Sequence, residues 1–326
     1  MKLLFFFALT TLGAAGLGIA PTASAQDWPD KGPVRIIAPF APGSSPDIFA
    51  RLLADAMSKS TKKTFIVENK AGAGGMIGAD AVAKAAPDGY TIGVNIGGPL
   101  VNNTLLYKQM SYNPFTDLTP ITLGVNQPCV LVASNQSGIT SVKDLVAELQ
   151  KNPSKYNYGS FGNGTMSHMV MVMIGNQTNS QLVQVPYPGA AQVLAALIAG
   201  DVNLACIPAA GAVPQAKAGK VKVLGIAASK RFILMPDVPT IAEQGIKGIE
   251  ANSWIGVIAP AKTPAPVIAK IQAELTRALT DPDVVKTLHN QYMEPVGNSP
   301  QEFAAYLKEE LERWGPIIKK NNITLD

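Results

Sequence analysis

The sequence predicts an α/β protein built as two lobes joined by a hinge. Three observations predict it. Strand-like and helix-like segments alternate along most of the chain. Glycine-rich loops recur between a strand and the helix that follows it. The length, 326 residues with 47% hydrophobic residues, supports two cores. In order, Val34-Arg35-Ile36-Ile37-Ala38 reads as a strand, residues 40–46 as a loop and 47–57 as a helix. Residues 64–68 read as a second strand, followed by a Gly-rich turn and an Ala-rich helix through Lys84, and 90–96 as a third strand. This order argues for a mixed, mainly parallel sheet flanked by helices, and such sheets place ligands at the loops beyond the strand carboxyl ends. A second series follows, with strands at 129–133, 156–159, 182–185, 202–206 and 221–227. Its helices run from Ser141 through Lys151 and over 190–199, where Gly200 ends the second. The last section reads as a strand at 254–259 and helices at 265–279, 283–290 and 300–319. Ser299 and Glu302 form a capping-box pair at the start of the last helix. Apolar stretches at 122–131 and 254–260 are the expected crossings. They divide the chain into one lobe of residues 26–125 plus 253–326 and another of 126–252. Two crossings make a hinge, and a hinge makes a closable cleft.

The first 25 residues read as an export signal. Lys2 supplies a short positive start, residues 3–20 an apolar run, and Ala23-Ser24-Ala25 a small-residue cleavage site. The expected mature chain is therefore exported to the periplasm, cut after Ala25, and monomeric. Cys129 and Cys206 then sit in a compartment where a disulfide can form; both lie in apolar strand-like runs, so two buried thiols fit equally well.

Composition excludes several functions. There are 27 Lys+Arg against 23 Asp+Glu, with no long basic run and 6% aromatic residues, so a nucleic-acid partner is not expected. Two cysteines and two histidines at scattered positions leave no metal-ligand pattern, and no cofactor or metal is expected. A dinucleotide site fails because Ile77 replaces the third glycine after Gly72 and Gly74. A nucleophile elbow fails because Tyr158 stands where its leading glycine belongs before Ser160. His168, on a Met-rich apolar helix, reads as a core or helix-start histidine.

Four loops carry the chemistry: Phe40-Ala41-Pro42-Gly43-Ser44-Ser45-Pro46-Asp47, Ala71-Gly72-Ala73-Gly74-Gly75-Met76, Gly159-Ser160-Phe161-Gly162-Asn163-Gly164-Thr165 and Tyr187-Pro188-Gly189-Ala190. Small residues admit a ligand to the backbone, and the helix start behind each loop offers free N–H groups and a positive dipole end. Facing each other across a cleft, such loops bind an anion through amides and hydroxyls. Taken singly, a Gly-rich βα turn is structural, Asp47 is an N-cap candidate, and Ser44 and Ser45 suit turns.

The chain resembles the tripartite tricarboxylate transporter receptor family, also called Bug proteins, which are periplasmic solute-binding proteins. The stretches that carry the resemblance run from Val34 to Gly43, from Val67 to Gly75 with Ile77-Gly78-Ala79, and over Ala86-Pro87-Asp88-Gly89-Tyr90-Thr91. They continue through Tyr158-Gly159-Ser160 with Gly162, Gly164-Thr165 and His168, then Val185-Pro186-Tyr187 with Gly189-Ala190-Ala191. Pro236-Asp237-Val238-Pro239-Thr240 and Trp254-Ile255-Gly256 with Pro260 complete the set. The resemblance implies a Venus-flytrap fold of two α/β lobes, capture of an organic acid, no enzymatic activity, and delivery to membrane permease subunits. It points to Phe40, Ala41, Gly43, Ser44 and Ser45, with Gly74 and Gly75 nearby, on one lobe, where Asp47 of the same loop is added to the expected ligand-binding residues. On the other it points to Ser160, Asn163, Thr165, Tyr187, Gly189 and Ala190, and Ile207 joins the expected ligand-binding residues as a departure from the family pattern. Two departures stand out: Tyr187-Pro188-Gly189 lacks the family's usual lysine, and Ile207-Pro208 stands where a strand-end acid is common. If these positions face the cleft, loss of a base and an acid together implies a less charged site, suited to an aromatic or longer-chain dicarboxylate such as terephthalate rather than malate; if Pro188 and Ile207 face the core instead, the ligand is one ordinary for the family. The competing expectations are an exported enzyme acting on a small carboxylic acid and a sensor for a membrane partner.

Overall fold

The computed structural model describes residues 28–251, 253–323 and 325. The expected export signal lies outside them. The elements run in order β1 (Val34–Ala38), α1 (Ser45–Thr61), β2 (Phe65–Asn69), α2 (Met76–Ala83) and β3 (Thr91–Asn95), then a π-helical turn at Gly98–Asn102 and α3 (Asn103–Leu106). Next come β4 (Leu118–Gln127), β5 (Cys129–Ser134), α4 (Val142–Lys151), β6 (Asn157–Ser160), α5 (Met166–Thr178), β7 (Val183–Pro186), α6 (Ala190–Ala199), β8 (Leu204–Pro208), α7 (Ala209–Lys217) and β9 (Val221–Ile226). The chain closes with β10 (Ser253–Pro260), α8 (Ala265–Thr280), α9 (Pro282–Asn290), β11 (Glu294–Pro295) and α10 (Pro300–Lys320).

These strands form two sheets, ordered β11-β4-β10-β3-β1-β2 and β7-β6-β8-β5-β9. The chain leaves the first sheet at Gln127 and enters the second at Cys129, with Pro128 between them. It returns between Ala251, whose N–H still donates to Ala227 of the second sheet (2.9 Å), and Ser253, which opens β10. The sheets are mixed, but antiparallel pairing is more extensive than a mainly parallel reading expects: β10 is antiparallel to β3 and β4, β11 to β4, and β5 to β8 and β9. The reason is the double crossing. A strand that goes over to the second lobe and one that comes back lie side by side in opposite senses. The parallel pairs are those joined through helices, β1 with β2 and β3, and β6 with β7 and β8.

The returning strand is anchored by its first aromatic. Trp254 is 1% exposed and meets Phe303 and Tyr306 of α10 edge-on at 5.7 Å. Its indole N–H donates to Glu310 (3.3 Å), which also accepts from Trp314 (3.3 Å) and pairs with Arg313 (2.7 Å). A buried carboxylate with these partners is satisfied and fixes α10 against β10. The capping box at Ser299 and Glu302 is present, and the helix extends one residue beyond the expected end.

Candidate functional site

The β1–α1 loop is organised from below by Asp47. Its carboxylate, 2% exposed, accepts the Gly43 N–H (2.9 Å), Arg51 Nε (3.1 Å) and Asn69 Nδ2 (2.8 Å). Burial alone would raise the pKa of this acid, but the hydrogen bonds from Arg51, Gly43 and Asn69 hold it below its ordinary value. Gly43 takes φ +82°, which turns the chain so that Ser44 becomes the N-cap of α1. Ser44 does not cap the helix with its side chain. Its hydroxyl is buried and has no hydrogen-bond partner among the described residues.

Across from it lie two more helix starts. Gly189 is the N-cap of α6 and offers no side chain to the first-turn amides. Ile207 and Pro208 end β8, and α7 follows at once. The cleft between them measures about 140 Å³. Gly43, Ser44, Ser45, Ala190 and Ile207, all singled out from the sequence, line it together. Pro208, noted beside Ile207 in the sequence, lines it as well, whereas sequence reasoning missed Ile48, Leu194 and Gln291, which line it too. Ile48 and Leu194 were legible only as helix-face residues, and Gln291 arrives from the turn after α9, far along the chain. Among the described residues no charged side chain lines this cleft.

Beside the cleft, the other two loops meet in a closed seam. A Cβ on Gly74 would lie 3.1 Å from the Asn163 carbonyl oxygen and 3.6 Å from Thr165. The Asn102 side-chain amide donates to the Gly164 carbonyl (2.8 Å). Phe40 and Phe161, one from each lobe, stand edge to face with centroids 5.9 Å apart, and Gly75 backs the Phe40 ring. Phe161 packs against the cores of both lobes and was not among the expected site residues.

Several expected residues turn inward instead. Ser160 is fully buried, and its hydroxyl accepts from Gln184 Nε2 (2.6 Å), which also donates to Asn163 Oδ1 (3.1 Å). The Thr165 hydroxyl donates to Gly162 O (2.6 Å) and meets Ser167 Oγ (2.8 Å). Tyr187 packs on the second-lobe core, and its N–H donates to Ser160 O (2.8 Å). Ala41 closes the first loop by accepting the Ser44 N–H (3.2 Å). Asp47, Ser160 and Thr165 thus shape the loops, whereas Ser44 faces the space between them. His168 accepts the Gly164 N–H at Nδ1 (3.3 Å), and burial lowers its pKa to about 4.

The sequence matches the family model described as "Tripartite tricarboxylate transporter family receptor" over residues 49–323. The chain belongs to this receptor family. Among solved structures, this receptor is similar to the periplasmic binding protein BugD, at 34% identity over 90% of this chain and 99% of that one, with a TM-score of 0.85. It is similar to Rpa4515 of R. palustris, solved with adipate, at 32% identity over 91% and 99% of the two chains and a TM-score of 0.87. MatC from Rhodopseudomonas palustris, solved with bound malate, gives 32% identity over 89% and 99% and a TM-score of 0.83. Like them, the receptor is two-lobed, and its class is that of a solute-binding protein rather than an enzyme. Among the described residues no helix is long and apolar enough to cross a membrane.

Proposed function

We propose that this receptor captures a dicarboxylate with an apolar body between its lobes in the periplasm and delivers it to the membrane subunits of a tripartite transporter. The observation that carries the reading is the buried, unpartnered Ser44 hydroxyl, facing the uncapped start of α6 across a cleft with no charged side chain. A carboxylate placed there accepts from the hydroxyl and from first-turn amides. Hydrogen bonds to a charged group are worth about 1.5–3 kcal/mol each, enough to offset desolvation when several converge. The walls set the rest of the ligand: Ile48, Leu194 and Ile207 offer apolar contact along the middle. The adipate found in a relative has this chemistry, two acid ends on a short alkyl chain, whereas malate carries a hydroxyl on its short carbon chain that apolar contact with Ile48, Leu194 and Ile207 does not favour.

Capture follows from closure. The ligand favours the closed state only through contacts it makes from both lobes, and Ser44 and Ala190 belong to opposite ones. A thermal-shift panel tests the reading. Adipate or terephthalate raises the melting temperature, and 1,6-hexanediol, which lacks the carboxylates, does not. Malate or citrate binding ten-fold more tightly than every diacid with an apolar body overturns the ligand class.

A further inference from the structure

The geometry points to a disulfide between Cys129 and Cys206 in the exported protein. The two residues are 77 positions apart, on β5 and β8, which pair antiparallel with Leu131 opposite Cys206 and Cys129 opposite Pro208. Alternation along each strand sends both thiols to the same face of the sheet. Cys129, Leu131, Leu204 and Cys206 belong to one core, and Val130, Val132, Ala205 and Ile207 to the core on the other side. Both residues are thiols in this structure, with their sulfurs 2.7 Å apart, closer than the separation of about 3.5–4 Å at which even the smaller carbon atoms settle without a bond. Both residues are 0–1% exposed, so each sulfur is shielded from solvent and faces the other.

The location gives the bond a role. Cys129 follows Pro128 directly, at the point where the chain enters the second lobe, and Cys206 precedes Ile207, a wall of the cleft. The cross-link ties the hinge crossing to the strand end that shapes the ligand site. It also closes a long loop, the case in which a cross-link most restricts the unfolded chain.

The oxidant is a protein disulfide of the exported compartment. The thiolate of one cysteine attacks that disulfide and forms a mixed disulfide. The second thiolate attacks the mixed bond, so two thiols lose two protons and two electrons and the oxidant departs as its dithiol. Burial pushes the Cys206 thiol up, disfavouring its thiolate in the finished sheet, so the exchange belongs to folding, before β5 and β8 close.

The inference rests on export and not on the identity of the ligand. The full chain is produced with export to a bacterial periplasm and, separately, retained in a reducing cytoplasm. Each preparation is denatured in excess iodoacetamide without reductant and weighed intact. The exported protein is expected to take up no adduct, to gain two after reduction, and to yield a linked peptide pair containing Cys129 and Cys206. The cytoplasmic protein takes up two adducts directly, and an exported Cys129→Ser variant takes up one. Two adducts on the unreduced exported protein overturn the proposal.

Discussion

Gly74 and Gly162 meet across the two lobes: a Cβ added to Gly162 would lie 2.5 Å from the Cα of Gly74. The seam is glycine against glycine because no side chain fits between the two turns, and Gly162 also holds φ +130°, which other residues resist. Gly162→Ala is therefore a wedge at the seam. It is expected to weaken acid binding at least ten-fold, measured by calorimetry, and to lower unfolding free energy by about 1–3 kcal/mol. Unchanged affinity would mean the bound state does not need the seam closed.

Ser44→Ala removes the cleft's orphan hydroxyl. Because that oxygen has no partner among the described residues, the folded state loses no hydrogen bond with them when it goes, and the melting temperature is expected to hold or rise slightly. Binding loses a charge-assisted hydrogen bond, about 1.5–3 kcal/mol or roughly 10- to 150-fold in Kd. Thr165→Ala behaves differently. Its hydroxyl already holds Gly162 and meets Ser167, so the variant loses stability as well as affinity.

Asp47 acts through the loop it holds. Replacing it with alanine abandons the Gly43 N–H and the Asn69 and Arg51 donors together, and about 2–4 kcal/mol of stability is expected to go with them. Asp47→Asn keeps the shape and part of the network, and so falls between. Urea denaturation of the two variants checks the order.

The recurring βα loops were legible in the sequence because glycine runs between a β-rich and an Ala-rich segment have one economical explanation. Ser299 and Glu302 were legible because a capping box is local. What was not legible depends on partners far along the chain. β4 finds its antiparallel partner β10 more than a hundred residues later, and Gln291 reaches the cleft from the turn after α9. Side-chain direction was equally hidden. Nothing local distinguishes Ser44, which faces the cleft, from Ser160, which Gln184 turns inward, and Phe161 reads as a loop residue until its two cores are seen.

Acid weakens the fold through His168. Its folded pKa is about 4 against about 6.5 for the free side chain, so the unfolded chain binds the extra proton first. The stability from the neutral imidazole is fully present above about pH 6.5 and is lost as pH falls toward 4, by up to about 3 kcal/mol. Protonation also removes the Nδ1 acceptor of the Gly164 N–H, at the residue whose carbonyl holds Asn102 of the other lobe. Urea midpoints compared at pH 7 and pH 4.5 are expected to fall, with a shallower fall in His168→Gln.

The most direct measurement is a crystal structure of the receptor grown with adipate. One carboxylate is expected between the lobes, within hydrogen-bond distance of Ser44 Oγ and of an amide in the first turn of α6, with the alkyl chain against Ile48 and Leu194. Adipate lodged elsewhere, or a first-turn amide and a Ser44 hydroxyl left facing solvent in the occupied protein, contradicts the account.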